Sequence, residues 1–319
     1  MFIISSCTMS SEQVVKVNGK IAIENSNGLS ASLFFPDTRR TVALRYDKRE
    51  AHGGLHWAST TNDFVGIQQF ISETGRISRG NVVLFNLKGE IIDTVYTAKE
   101  DELTGNAYLS NKDSRLLFTL SIDHFDPANP LDQLNRPTSI VVMDFKSKEI
   151  IKKIDNVGST SKIDFNESPW FADESRFIYD IRGDRKMTIE GESIAQDENK
   201  PGIYLYNLAT NEHSLIIKDG YYGVVSPTSD LVAYISDKRQ IWLYDLASGK
   251  RQLVYNADKN EKVMHIHWAP SGEYIYLTNY NKFAFDIFYN GSKLIRVSDG
   301  QEASFVSDAG PGFGSYTWR

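Results

Sequence analysis

The sequence has one cysteine, no long apolar run and no excess of positive charge among its 319 residues. The single cysteine, Cys7, excludes an internal disulfide framework. No apolar stretch approaches the roughly 20 residues that a membrane-spanning helix requires. The formal net charge of -6, without clustered Lys and Arg, argues against a nucleic-acid surface. We therefore expect a globular chain with no transmembrane segment and no nucleic-acid partner.

What the sequence does contain is a repeated pattern of short apolar segments. Five units open with a small-residue turn between two strand-like runs, and they recur at intervals of about 43 to 62 residues. These openings are WASTTNDFVGI from Trp57, LSNKDSRLLFT from Leu109, FADESRFIYDI from Phe171, VSPTSDLVAYI from Val225 and WAPSGEYIYLT from Trp268. The first residue of each opening is aligned and is often aromatic, so we expect Trp57, Phe171 and Trp268 to be buried between units.

Each unit closes with two further strands joined by a hairpin. Gly and Asn supply the positive φ that tight hairpins need, which predicts turns at 87–89, 247–249 and 290–291. A self-similar chain with about four short strands in each unit is typical of a β-propeller.

The two ends of the chain together resemble one more unit. Segment 19–25 predicts its second strand, and segment 32–46 predicts its third and fourth strands. The missing first strand is supplied by the C-terminal GSYTWR, which contains Trp318. We therefore predict an all-β, six-bladed β-propeller of four-stranded antiparallel blades, closed by the C-terminal strand joining the N-terminal blade. Residues 16–319 form this domain, residues 1–15 precede it as a tail, and we expect a monomer.

The repeat also resembles a known family. WAPSGEYIYL from Trp268 and QIWLYDLASGK from Gln240 are similar to the WD-like repeat of TolB-type six-bladed propellers, which also occurs in the propeller domains of prolyl oligopeptidases. The resemblance implies the fold but leaves function open, because this repeat serves scaffolds, binding proteins and enzyme gates. No Gly-x-Ser-x-Gly motif is present, so peptidase activity is not expected.

The residues Ile4-Ser5-Ser6-Cys7 resemble the end of a bacterial lipoprotein signal. The preceding segment is too short for a signal peptide, which leaves a start codon further upstream as one explanation and a cysteine without a role as the other. On the first explanation, Cys7 is the lipidation site of a protein of the bacterial cell envelope, in the periplasm or on the surface. A cytoplasmic location stays open.

The connections between second and third strands predict a binding face. Those at 72–80, 122–138 and 182–201 are long, belong to consecutive units and should lie on one side of the propeller. The alternative is that they are solvated loops without a ligand. The ligand-binding residues predicted on this side are Asp123, His124, Phe125, Asp126, Arg182 and Arg185, with His52 and His56 near the channel mouth.

Histidines are the main candidates for metal ligands. His265 and His267 are two residues apart on a predicted first strand, so their side chains share one face and could hold a divalent metal. The alternative is a packed pair that hydrogen-bonds to the backbone. A cluster of His52, His56 and His124 with Asp123 or Asp126 would need the loops to converge.

Two functions follow from these observations. The first is a non-catalytic binding or scaffold propeller that recognises a protein or peptide through its loop-rich face. The second is a metal-assisted hydrolase or lyase that acts on a saccharide or peptide at the channel mouth. The sequence requires no cofactor. Three or four His and acidic side chains that meet at one end of the channel would favour the enzyme over the binding protein.

Overall fold

The computed structural model describes residues 21–24, 31–35, 40–43, 50–58, 60–61, 63–71, 77–86, 88, 90–122, 137–159, 163–166, 169–182, 186–187, 193–194, 200–283, 286–303 and 316–318. None of these residues lies in a helix that is long and apolar enough to cross a membrane. Their strands, in chain order, are β1 (Ile21–Glu24), β2 (Ala31–Phe35), β3 (Arg40–Ala43), β4 (Glu50–Trp57), β5 (Phe64–Ile71), β6 (Ile77–Phe85), β7 (Ile91–Tyr96), β8 (Glu102–Leu109), β9 (Arg115–Ile122), β10 (Pro137–Asp144), β11 (Ile150–Ser159), β12 (Ile163–Asp164), β13 (Arg176–Ile181), β14 (Lys186–Met187), β15 (Ser193–Ile194), β16 (Gly202–Asn207), β17 (Glu212–Lys218), β18 (Tyr221–Val225), β19 (Leu231–Ser236), β20 (Gln240–Asp245), β21 (Arg251–Asn256), β22 (Glu261–Trp268), β23 (Tyr274–Phe283), β24 (Asp286–Arg296), β25 (Glu302–Ala303) and β26 (Tyr316–Trp318).

The strands of the described residues form six four-stranded antiparallel sheets and one small hairpin, β14–β15. We number the sheets along the chain. Sheet 1 has the order β26-β1-β2-β3, and sheets 2 and 3 are β4 to β7 and β8 to β11. Sheet 4 has the order β12-β13-β16-β17, and sheets 5 and 6 are β18 to β21 and β22 to β25. The all-β prediction and the order of strands within each unit are confirmed.

The core lies between neighbouring sheets. Buried residues of sheets 2 and 3, 3 and 4, 4 and 5, and 5 and 6 form four separate hydrophobic clusters. Alternating side chains of each strand serve the two faces, so a sheet between two others is apolar on both sides. Phe171 and Trp268 are 0% and 6% exposed and belong to two of these clusters, so the aligned position fills those interfaces. Trp57 is also buried, at 3% exposed, and its ring meets that of Phe64 in its own sheet.

The turn between third and fourth strands is built the same way in several sheets. Asp144 and Asp245 each end a third strand, and each carboxylate accepts backbone N–H bonds from the residues two and three positions later. These donors hold the pKa of both carboxyls below the usual range. Gly249 then adopts φ +68°, so glycine at 249 avoids the strain of a side chain in that conformation.

The turn predicted at 290–291 is wrong. β24 runs without interruption from Asp286 to Arg296, and Asn290 is the extra residue of a bulge in its pairing with β23. The turn of sheet 6 lies further on, where the N–H of Gly300 bonds the carbonyl of Arg296 at 2.8 Å. Asn-Gly suits a bulge as well as a hairpin, because both use positive φ, and the sequence alone did not separate the two.

Strand pairing joins the two ends of the chain in sheet 1. β26 pairs with β1 in antiparallel register, with Ile21 opposite Trp318 and Ile23 opposite Tyr316. β26 also contacts β22 of sheet 6 and β4 of sheet 2. These are the contacts that the predicted closure requires. The complete six-bladed ring stays a prediction.

Deletion of 315–319 tests this prediction, because it leaves β1 without its partner strand and exposes backbone groups that are otherwise paired. We expect the truncated protein to melt early or to aggregate in a thermal-unfolding measurement. The control carries 304–319 at the N-terminus, linked to residue 16, which restores the β26–β1 pair as a hairpin. Equal melting temperatures for the truncated and full chains would contradict closure by β26.

Substitution of Trp268 tests the interfaces. Trp268 is buried, and its Nε1 donates to the Val224 carbonyl at 3.0 Å. We expect Trp268→Ala to lower the free energy of unfolding by about 3 to 5 kcal/mol, measured by denaturant titration. Trp242→Ala is the matched control, because Trp242 is only partly buried on a third strand, and it should cost clearly less. Equal losses would show that the aligned position has no special role.

Candidate functional site

Two of the three predicted long connections are present between second and third strands. β6 already begins at Ile77, so the first is shortened to residues 72–76, and its predicted bounds were wrong. The other two join β9 to β10 and β13 to β16, in the neighbouring sheets 3 and 4. Because both connections follow the same step in the strand order, we expect them on one side of the sheets, and this position stays a prediction. Of their predicted ligand residues, Arg182 is described, whereas Asp123, His124, Phe125, Asp126 and Arg185 lie outside the described residues, as does Cys7.

The first strands of the sheets carry bulges at corresponding points. In sheets 2, 3 and 5, two residues of the first strand lie opposite a single residue of the second strand. These bulged pairs are residues 54–55, 105–106 and 222–223. In sheet 6 the extra residue is Met264. Because a bulge changes the direction of neighbouring side chains, these positions are where polar groups can turn away from the apolar interfaces.

Tyr222 in the bulge of β18 is held in an unusual conformation. Its φ is +59°, in the left-handed region that aromatic residues rarely occupy. The buried carboxylate of Asp180, on the adjacent sheet 4, accepts the N–H groups of Tyr222 and Gly223. Asn166 completes this arrangement by donating its amide to Asp180 at 3.0 Å and to the Gly223 carbonyl at 3.2 Å. A satisfied buried network of this kind fixes the bulge in one geometry.

This geometry brings Tyr222 of sheet 5 against His265 of sheet 6. The Tyr222 hydroxyl is hydrogen-bonded to Nδ1 of His265, and the rings meet edge to face with centroids 4.9 Å apart. Burial, His267 and the positive charge of Arg182 lower the pKa of His265 to about 4. Of these three causes burial is the largest. We call Tyr222 and His265 the inner-strand site.

His267 lies next to this site but is more deeply buried. It is 4% exposed, its ring centroid lies 6.0 Å from that of Tyr276, and burial lowers its pKa to about 3. Both histidines are therefore neutral at pH 7, which is the form that binds a metal. Within the described ranges, no group of three His, Cys, Asp or Glu residues could hold a metal ion. The metal role of the pair stays a prediction.

His56 lies between sheets 2 and 3. Its Nδ1 accepts the backbone N–H of Leu109 at 3.3 Å, and its ring meets that of Tyr108 at 5.4 Å. His56 thus links β4 to β8, the first strands of sheets 2 and 3. The backbone of His52 lies in β4, while His124 lies outside the described residues, so the predicted cluster of the three histidines stays untested.

Sequence reasoning missed Tyr222, Asp180 and Asn166. Nothing in the sequence indicates a left-handed tyrosine at Tyr222, which lies just before the repeat opening at Val225. Asp180 gave a clearer signal, because it stands in the apolar run FIYDI of a predicted strand. A carboxylate is rarely buried unless it is paired or hydrogen-bonded, so such a position calls for a partner from another strand.

Comparison with known proteins supports the fold. A family model, the WD40 domain of anaphase-promoting complex subunit 4, matches residues 224–302, which belong to sheets 5 and 6. Oligogalacturonate lyase from Vibrio parahaemolyticus has a similar structure, with a TM-score of 0.59 and 12% identity over 86% of this chain and 70% of that chain. The chain has a β-propeller fold. The predicted resemblance to WD-like and TolB-like propellers is supported.

Other similar structures come from different functional classes. An oligogalacturonate lyase in complex with manganese has a TM-score of 0.51 and 14% identity, over 90% of this chain and 73% of that chain. A protein assigned as TolB from Agrobacterium tumefaciens has a TM-score of 0.51 and 13% identity, over 89% and 87% of the two chains. No curated protein sequence matches significantly. At these identities the likeness shows the fold alone, and it does not decide between binding and catalysis.

The buried histidines predict a pH dependence of stability. Their pKa values in the folded chain, about 4 and about 3, lie below the 6.5 of a free imidazole, so the unfolded chain binds protons first as the pH falls. The folded chain is most stable above pH 6.5, and the free energy of unfolding falls below it by about 1.4 kcal/mol per pH unit for each histidine, down to about pH 4 for His265 and about pH 3 for His267. Denaturant titrations at a series of pH values measure this dependence. Below pH 6.5 the free energy of unfolding should fall less steeply with decreasing pH for the double variant His265→Gln, His267→Gln than for the wild type, and above pH 7 the two dependences should be parallel. The same pH dependence for both proteins below pH 6.5 would contradict burial of neutral imidazoles.

Proposed function

We propose that this propeller is a non-catalytic binding protein that recognises a protein or peptide through the face with the long connections of sheets 3 and 4. The observation that carries the proposal is that the two long connections, β9 to β10 and β13 to β16, belong to the neighbouring sheets 3 and 4. Connections of this length inside a compact domain commonly serve binding.

A metal-assisted hydrolase or lyase is the second candidate. It is favoured by two observations, the neutral His265 and His267 on one strand and the fold shared with a lyase that was solved with manganese. The two imidazoles fit a metal only as part of a larger ligand set, since a catalytic zinc-type centre uses three protein ligands. Metal content after purification, with melting temperature before and after a chelator, separates the candidates. The binding proposal predicts no stoichiometric metal and no shift.

The location that fits this proposal is the bacterial cell envelope, with Cys7 as a lipid anchor. The support is the Ile4-Ser5-Ser6-Cys7 segment together with the fold shared with a TolB-type protein. Labelling of the protein in cells with a fatty-acid analogue tests the anchor. Incorporation that Cys7→Ser abolishes supports it, and label-free wild-type protein contradicts it.

Site-specific photo-cross-linking tests the binding face. Cross-linkers at positions 124 and 186, in the two long connections, should capture the same partner in cells. The matched control is a cross-linker at Ser248, in the turn between third and fourth strands of sheet 5, which belongs to the opposite side. Shortening both connections to the length of the 237–239 turn should abolish capture without lowering the melting temperature. Capture from position 248 alone would overturn the assignment of the face.

A further inference from the structure

We propose that four exposed isoleucines on the outer strands of sheets 2 and 3 dock the protein on a lipid membrane with anionic headgroups. These residues, which we call the rim patch, are Ile91, Ile92, Ile150 and Ile151. The inference goes beyond the proposed function, because the patch lies on fourth strands, whereas the long connections join second to third strands.

The first support is the place of the isoleucines in the repeat. In sheets 2, 3, 5 and 6 a backbone hydrogen bond closes the turn between third and fourth strands, and in sheet 4 the pairing of Asn207 with Glu212 does so. The two residues that follow this point are the isoleucine pairs in sheets 2 and 3. In sheets 4, 5 and 6 they are His213-Ser214, Arg251-Gln252 and Glu302-Ala303. Sheets of this repeat thus form with polar or small side chains here, so strand pairing alone does not require isoleucine.

The second support is that the four side chains are exposed and adjacent. They are 38%, 50%, 49% and 48% exposed. The two pairs border one contact between the sheets, in which the ammonium of Lys148 donates to Asp93 at 2.7 Å and to the Thr94 carbonyl at 3.0 Å. The other exposed large apolar residues in the described part of the chain, Ile122 and Leu253, stand singly. Single exposed apolar residues are common, whereas a group of them marks an interaction surface.

The form of the outer strands limits what can cover the patch. Ile92 is the extra residue of a bulge in β7, and Ile151 is the extra residue of a bulge in β11. Bulges and lysines on an outer strand disfavour pairing with a further strand. The interfacial layer of a membrane fits instead, because it takes up apolar side chains without backbone pairing.

The third support is the free positive charge beside the isoleucines. Lys88 and Lys146 lie in the turns before the two pairs, and Lys152 follows the second pair. None of the three has a carboxylate within ion-pair distance among the residues that the structure describes. The acceptors nearby are engaged within the chain, as Asp93–Lys148 at 2.7 Å, Asp155–Lys153 at 3.0 Å, Glu90–Asn86 at 2.7 Å and Glu149–Ser147 at 3.5 Å.

These lysines favour an anionic lipid surface. Their apolar stems can lie along the membrane while the ammonium groups reach the headgroup phosphates. Because the chain as a whole has a formal charge of -6, free cations beside the patch would orient it with this side toward the lipid. The proposed anchor at Cys7 would add to this contact, since stable membrane attachment commonly combines an acyl chain with a second signal.

Co-sedimentation of the unlipidated full chain with vesicles tests the inference. The probes are vesicles of phosphatidylcholine with about 30% phosphatidylglycerol and vesicles of phosphatidylcholine alone. We expect binding to the anionic vesicles that weakens at high salt, and several-fold weaker binding to the neutral ones. The double variant Ile92→Ser, Ile151→Ser should bind the anionic vesicles at least about tenfold more weakly, because it removes apolar side chains from the contact.

Charge is tested separately by the triple variant Lys88→Gln, Lys146→Gln, Lys152→Gln, which should lose the preference for anionic vesicles. The matched controls are Leu253→Ser, which removes an exposed apolar side chain from the outer strand of sheet 5, and Lys250→Gln in the turn before it. Both should bind like the wild type. All variants should melt within a few degrees of the wild type, because exposed side chains contribute little to stability.

Three results would overturn the inference. They are absence of wild-type binding to anionic vesicles, equal binding by the wild type and the double isoleucine variant, and equal binding of the wild type to both kinds of vesicle. Sedimentation of the wild type alone as a dimer that the double isoleucine variant abolishes would show that a second copy covers the patch, which also contradicts it. None of these results bears on capture from positions 124 and 186, so the rim patch and the proposed binding face stand or fall separately.

Discussion

Hydrogen bonds from large side chains to the backbone of the neighbouring sheet hold the first strands of this propeller together. Trp170 Nε1 donates to the Tyr108 carbonyl at 3.1 Å, and the Tyr108 hydroxyl donates to the Phe165 carbonyl at 2.8 Å, which ties sheets 3 and 4 in both directions. Trp268 makes the same kind of bond to Val224 between sheets 5 and 6. Each bond buries an aromatic ring and satisfies its polar atom at once, and so fixes the angle between two sheets.

A second set of hydrogen bonds joins the fourth strand of one sheet to the first strand of the next. The hydroxyls of Tyr96 and Tyr255 donate to Glu102 and Glu261 at 2.7 and 3.4 Å, and Lys293 adds an ion pair to Glu261 at 3.1 Å. Both pairs come from the same short pattern, Tyr-x-Ala-x-x-x-Glu. These two sets of hydrogen bonds fix neighbouring sheets relative to each other. Asp180 of sheet 4 can therefore position Tyr222 of sheet 5 against His265 of sheet 6.

The repeat made most of the fold predictable, and the site much less so. Aligned aromatic residues such as Trp268 and strand alternation report local burial, so the sheets, their strand order and the β26–β1 pair followed from the sequence. The errors were local ambiguities, since Asn290-Gly291 suits a bulge and a hairpin equally. The Asp180–Tyr222–His265 arrangement joins residues of three sheets, and no repeat or spacing within one unit encodes such a contact.

The central claim is that packing of sheets 4, 5 and 6 holds Tyr222 against a buried and neutral His265. The most direct measurement is the imidazole nitrogen NMR spectrum of the histidine-labelled full chain, recorded as the pH is lowered from 7 to 4. The account predicts that His265 stays neutral until the pH approaches its pKa of about 4. Protonation of His265 in the folded chain near pH 6.5 would contradict it.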